Sequence, residues 1–463
     1  MTPASFIRHD KSEFGLTRPL LIWLVTLLLI RLLVLLNTEV SVFGDGVLYL
    51  DALQTIISTG SLPDLRVQPV GYPAFLSVFH IGVDKPSLAT ISNIHKFMDM
   101  GIVVVLSMFC LIFTKGRHLV IRAVALCAMI LQPFTGAMLS SVYTEHSATF
   151  LSFIGVVLIS YLAVRTKSVL ILFLGGLLLG VASSMRVDLL IMNIGLAGFL
   201  IFILLPRIAH FKKISLLLAF FSTMIMPTTI LAWQAHSTGE MGFVVKKFYF
   251  KGYMDWLRTW PSDRAEHAKF AFFYNKPDRD NRLDIESYPA KAFSDDGERI
   301  AVERILSDWN KTTYSPDIDQ RFSRLADAKS VDKWFSYYVL NPMFRMGHYW
   351  VNADGSQFYL RTIGWQPPLS TIIVVVNLIL RLMLLVLFLL GAKRVFAQEC
   401  KVPEIQALVI SSVAYVAFRT LELGIGGTQV WAGLMEPRFV LVAFPFLIIV
   451  AAFSLATRFE DKL

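Results

Sequence analysis

Early in the chain an aspartate stands between two glycines, in Phe43-Gly44-Asp45-Gly46-Val47-Leu48-Tyr49-Leu50-Asp51. It follows a long apolar run, so it falls at a water boundary, and glycine on either side lets another group approach closely. A carboxylate partly withdrawn from water gains basicity and can take a proton from a hydroxyl. The plainer role for Asp45 is to cap the helix that holds residues 48–57. Further on, in Arg66-Val67-Gln68-Pro69-Val70-Gly71-Tyr72-Pro73, Arg66 carries the planar fork that grips phosphate through two parallel hydrogen bonds. Its plainer role is a headgroup-facing arginine.

More ionisable residues gather at the ends of apolar runs: His95, Lys96 and Asp99; Glu145 and His146; Arg186 and Asp188; Glu422; Glu436 and Arg438. Such groups are costly beside lipid and are functional candidates by default. Each also has a structural alternative, as a snorkelling side chain or an ion pair such as Arg186 with Asp188. Asp278-Arg279-Asp280 and Asp317-Ile318-Asp319 have an acid-x-acid spacing that can hold a divalent ion, though polar loops carry it often. His348, in Arg345-Met346-Gly347-His348-Tyr349-Trp350, is either a site residue or part of a packed aromatic cluster. No phosphate-binding glycine loop, Gly-x-Ser-x-Gly, paired histidine ligands or cysteine–histidine motif is present.

The elements that must position these residues are membrane spans. The 463 residues are 55% apolar and only 17% charged, against about 25% in soluble domains. This excludes a disordered chain and a secreted disulfide scaffold, and the three scattered cysteines form no metal spacing. Apolar runs of about 20 residues predict an all-α polytopic membrane protein of about ten spans, near 18–37, 90–113, 119–138, 143–164, 168–185, 187–205, 214–233, 369–390, 404–422 and 438–457. The first run lacks a small-residue cleavage site and reads as a span. Residues 72–83 are too short to cross and read as an outer interfacial helix.

Basic clusters at Arg8–Arg18, Lys115–Arg122, Arg165–Lys167, Arg207–Lys213, Lys393–Lys401 and Arg458–Lys462 then share one side, with both termini cytoplasmic. The net charge of +9 follows from those loops rather than from a nucleic-acid partner. The chain divides into 1–37, tail and first span; 38–89, a first outer loop with juxtamembrane helices; 90–234, a six-span core; 235–368, a large extracytoplasmic loop with helical stretches near 295–309 and 318–340; and 369–463, three last spans. The large loop holds about half of the acidic residues, and the cytoplasmic loops are too short for a nucleotide-binding domain. Short loops and no retention signal suggest a bacterial inner membrane with a site facing the periplasm.

At these residues the chain resembles the GT-C superfamily of membrane glycosyltransferases, most closely the branch of protein O-mannosyltransferases and the lipid A aminoarabinose transferase. Asp45 with Tyr49 resembles the family's catalytic loop. Gln68-Pro69-Val70-Gly71-Tyr72-Pro73-Ala74-Phe75-Leu76 is similar to its Pro-x-Gly-Tyr-Pro juxtamembrane helix, and Ser141-Val142-Tyr143-Thr144-Glu145 to its Ser-Glu-led span. Glu436-Pro437-Arg438-Phe439 followed by Phe444-Pro445 resembles its Glu-x-Arg-Tyr…Pro ending. Two positions depart: Gly46 replaces the acid that often follows the aspartate, and Gln68 replaces a lysine before the juxtamembrane proline. The large loop matches no known pattern.

The resemblance implies transfer of a sugar from a polyprenyl-phosphate donor to a glycan, lipid or protein acceptor on the outer face, by one inverting displacement. Asp45 would be the base. Arg66, Lys96, Arg186 and Arg438 would hold the lipid phosphate, and Tyr49, Tyr72, Glu145, His348 and Glu436 would contact sugar or acceptor. No cofactor is required and a divalent metal is optional. A flippase or transporter would show internal repeats, which the sequence lacks, and midplane charges, whereas here ionisable residues crowd the outer rim. A surface-polysaccharide polymerase or ligase would favour an arginine- and histidine-rich outer loop, whereas this loop is nearly balanced in charge.

Overall fold

The computed structural model describes residues 16–38, 42, 45–63, 70–132, 142, 144–209, 211–238, 251–260, 284–312, 315–351, 368–397, 400–425 and 442–456. Among them every regular element is helical. Seven helices are long and apolar enough to cross a membrane: Arg18–Leu36, Leu88–Phe113, Thr144–Thr166, Asp188–Ile208, Lys213–Ser237, Val374–Phe396 and Pro403–Gly424. Three shorter apolar helices, Leu119–Leu131, Val169–Met185 and Phe444–Ser454, accompany them. Together they account for the ten expected runs. The third ends earlier than expected. Gln132 adopts φ −56° and ψ 139° because the next residue is Pro133, whose ring excludes helical backbone before it.

The helices are labelled in chain order: α1 Arg18–Leu36, α2 Asp45–Thr59, α3 Gly71–Ser77, α4 Leu88–Phe113, α5 Leu119–Leu131, α6 Thr144–Val157, α7 Val169–Met185, α8 Val187–Gly198, α9 Lys213–Thr238, α10 Lys251–Leu257, α11 Asp296–Lys311, α12 Pro316–Asp332, α13 Asn341–Val351, α14 Leu369–Phe396, α15 Pro403–Ile425 and α16 Phe444–Ser454. Within residues 72–83, expected as an interfacial helix, the structure has α3 and a short turn over Val78–His80. Helix α3 buries Tyr72, Pro73 and Ala74, while Val78, Phe79 and Ile81 stay exposed.

The chain forms two units, 1–245 with 356–418 and 441–463, and 246–355 with 419–440. The first contains most of the apolar helices. With no hydrophobic drive between helices in lipid, close backbone contact does the joining. Gly176 and Gly180 of α7 seat on the Ala219 and Thr223 carbonyls of α9, and Gly391 of α14 on the Val450 carbonyl of α16. The outward sides of α1 and α14 carry Leu21, Ile22, Leu33, Ile379, Val386 and Leu389, all exposed, as lipid-facing helices require.

The second unit has a buried aromatic and aliphatic core of its own. Tyr253, Trp256, Trp260, Tyr288, Ile305 and Phe322 form its core. Helices α11 and α12 begin on Asp295 and Ser315, whose side chains accept hydrogen bonds from Glu298 N–H and Ile318 N–H. Asp319 accepts from Gly252 N–H at 2.8 Å and Asp317 lies 3.8 Å from Arg321, so this acidic pair serves local structure; Asp278 and Asp280 lie outside the described residues.

Candidate functional site

Arg186 is the centre of the site in the first unit. It is the one extended residue, at φ −144° and ψ 121°, between α7 and α8. That break turns its buried guanidinium back toward the start of α6. There it meets Glu145 at 2.6 Å, and it grips Asp188 through two hydrogen bonds of 2.9 and 2.7 Å. Thr144 Oγ1 accepts a further hydrogen bond at 3.4 Å. Glu145 and Asp188 both lie in the first turn of their helices, where the helix dipole favours an acid. Glu145 therefore joins the arginine–aspartate pair legible from sequence, and the three form one buried cluster.

A second set of polar groups adjoins it. Gly71, the first residue of α3, lies so close to the Ser184 carbonyl of α7 that a Cβ there would collide with it. This contact, two residues before Arg186, explains why glycine precedes Tyr72. The Tyr72 hydroxyl is 3.0 Å from His95 Nε2 on α4, and its ring meets Tyr49 of α2 edge-on at 5.2 Å. Burial, and after it the charge of Glu145, raises the Tyr72 hydroxyl above the usual tyrosine range. Tyr72 is therefore a neutral hydrogen-bonding group. His146 Nε2 donates to the His95 carbonyl at 2.9 Å. His95 Nδ1 is buried and has no hydrogen-bond partner among the described residues.

One turn beyond His95, Asp99 binds Arg31 of α1 through two 2.8 Å hydrogen bonds, and Arg31 also donates to the Gln132 carbonyl at 2.9 Å. Arg31 was not among the sequence candidates, although a lone arginine in the apolar stretch of α1 was the available signal. Sequence reasoning likewise missed Asn193 of α8, whose amide lies 3.4 and 3.2 Å from the hydroxyls of Ser152 and Ser183.

Asp45 is the first residue of α2. Its neighbour Gly46 lies against Val142, where an added Cβ would be 3.2 Å from the carbonyl oxygen. The start of α2 is thus held three residues from Glu145. The side chain of Asp45 lies outside what is described. Lys96 follows His95 and is partly buried. Arg66, Glu436 and Arg438 lie outside the described residues. His348 belongs to α13 in the second unit, and its side chain is not described. Tyr49, Tyr72, Glu145 and Arg186 are therefore brought together. Among the described residues no group of three His, Cys, Asp or Glu residues is arranged to hold a metal ion.

No family model and no curated protein matches the chain. Solved structures with a similar helix arrangement include the oligosaccharyltransferase AglB of Archaeoglobus fulgidus in complex with an inhibitory peptide and a dolichol-phosphate. It is 12% identical with a TM-score of 0.37, covering 93% of this chain and 50% of that one. The same organism's oligosaccharyltransferase in the apo form is 12% identical with a TM-score of 0.40, covering 95% and 57%. ArnT of Cupriavidus metallidurans bound to undecaprenyl phosphate is 11% identical with a TM-score of 0.36, covering 94% and 78%. The chain spans about half the length of the oligosaccharyltransferases it matches. A likeness of this size fixes neither reaction nor substrate.

Proposed function

We propose that the protein is a membrane glycosyltransferase that moves a sugar from a polyprenyl-phosphate carrier to a hydroxyl acceptor at the extracytoplasmic face. One observation carries the reading: through Gly46, the start of α2 with Asp45 is held against Val142, three residues from the buried Glu145–Arg186–Asp188 cluster. An acid and a cation-bearing cluster at the ends of apolar helices suit a substrate whose tail is lipid and whose reacting bond is polar.

In this mechanism the Asp45 carboxylate takes the proton of the acceptor hydroxyl. The acceptor oxygen bonds to the anomeric carbon from the face opposite the phosphate. The bond between that carbon and the phosphate oxygen breaks, the electron pair leaves with the polyprenyl phosphate, and the configuration inverts. Arg186, with Arg66 and Lys96, supplies the positive field that stabilises the leaving phosphate. Tyr49, Tyr72 and Glu145 offer hydrogen bonds to sugar or acceptor. A divalent ion is optional.

Asp45→Asn keeps the size and hydrogen-bonding capacity of the residue and removes the base. In proteoliposomes supplied with a polyprenyl-phosphate sugar and acceptor, turnover is expected to fall about 10²–10⁴-fold while the protein stays folded. Turnover at the parent rate would eliminate Asp45 as the base.

A further inference from the structure

The second unit carries an apolar face that its own core does not use. From Trp334 the chain is helical through a wide turn at Ser336–Leu340 and on into α13. Along this stretch Trp334, Tyr338 and Met343 are 60%, 61% and 59% exposed, with Phe335 and Leu340 exposed between them. The spacing puts Trp334 and Tyr338 one helical turn apart on one side. Scattered exposed apolar residues need no explanation, but a contiguous aromatic stripe does.

What α13 is bonded to indicates the occupant. Arg345 donates to the Gly424 carbonyl at 3.1 and 2.9 Å, and Trp350 Nε1 donates to Thr420 Oγ1 at 3.0 Å. Gly424 is bare where Met346 packs, and a Cβ there would displace that side chain. Thr420 and Gly424 lie where the apolar run of residues 404–422 gives way to Gly424-Ile425-Gly426-Gly427 in the sequence. The end of a span marks the level of the membrane–water boundary. Helix α13 is therefore tied to the place where that apolar run ends. Tryptophan and tyrosine, amphipathic rings with one polar edge, are the side chains that favour the headgroup region.

We propose that the Trp334–Met343 stripe is an interfacial anchor that lies in the headgroup layer of the bilayer, held at that depth by the Arg345 and Trp350 bonds to the end of α15. The partner is the lipid surface itself. This inference rests on the membrane-spanning character of α15 and is independent of the proposed sugar transfer.

The test uses the full chain in phosphatidylcholine nanodiscs, with the three native cysteines replaced by alanine. Single cysteines, Trp334→Cys, Tyr338→Cys and Met343→Cys, carry a fluorescent label. Ile300→Cys is the control, because Ile300 is also apolar and 48% exposed but lies on α11 in the same unit. Lipids bearing a nitroxide just below the headgroup should quench the three stripe labels several-fold more than the control, and aqueous iodide should quench them several-fold less. Iodide reaching all four labels equally would overturn the anchor. So would stripe labels shielded from both quenchers, since a protein surface rather than lipid would then cover them.

Discussion

Each unit buries an ion cluster, and the two are closed differently. In the second unit Lys329 donates to the Ala292 carbonyl at 2.6 Å and pairs with Glu298 at 3.2 Å. The Glu298 carboxylate also accepts from Trp256 Nε1 at 2.8 Å and from Ser294 N–H at 2.6 Å. Burial lowers the Lys329 ammonium from its ordinary value, and Glu298 opposes that shift. This cluster ties α11 and α12 to the aromatic core. In the first unit Arg186 joins the ends of α6, α7 and α8, and beside it stand Tyr72, His95 and His146. Among the described residues each cluster has a buried nitrogen nearby without a hydrogen-bond partner, His95 Nδ1 in the first unit and Trp260 Nε1 in the second, so what separates them is the tyrosine and two histidines that adjoin Arg186. The same pairing of opposite charges is a fastener in one unit and a candidate site in the other.

Paired substitutions put that contrast at risk. Arg186→Met takes the cation from Glu145 and Asp188, and Lys329→Met takes it from Glu298, which keeps its bonds from Trp256 and Ser294; each is expected to lower stability in denaturant unfolding, the first by about 3–5 kcal/mol and the second by less. Turnover per folded molecule should collapse in Arg186→Met and persist in Lys329→Met. Equal losses would erase the distinction. A smaller effect is expected from Gly71→Ala, whose new methyl must push α3 away from Ser184 at about 1–3 kcal/mol. A lowered Tm together with weaker donor binding would show that this contact positions Tyr72, whereas an unchanged Tm would show that α3 shifts freely.

The smallest effect compares two buried hydroxyls. Tyr72→Phe removes the hydrogen bond to His95, and Tyr253→Phe removes the 2.8 Å bond to Tyr288. Each should reduce stability by about 1–2 kcal/mol. Only Tyr72→Phe should change KM for the donor, measured on the folded fraction.

The spans were legible because apolar length is a local property, as Leu88–Phe113 and Thr144–Thr166 show. The early end of α5 was also locally encoded, by Pro133, but apolar residues after that proline extended the expected run. The Arg186–Asp188 pair could be read from adjacency. The link from Arg186 to Glu145 could not, because it depends on how α6, α7 and α8 pack. Arg31 and Asp99 show the same limit. Each is visible alone as a charge in an apolar setting, yet only the packing of α1 on α4 pairs them. The Pro-x-Gly-Tyr-Pro segment was recognisable by resemblance, while the reason for Gly71 appears only where Ser184 meets it.

The most direct measurement is photo-crosslinking with a polyprenyl phosphate that carries its reactive group beside the phosphate, followed by peptide mapping. Label is expected on the segments around Asp45–Tyr49, Gly71–Tyr72 and Thr144–His146, and it should vanish when unlabelled polyprenyl phosphate competes. Competed label confined to residues 246–355, or to the basic loops at 115–122 and 393–401, would contradict a carrier-phosphate site at this cluster.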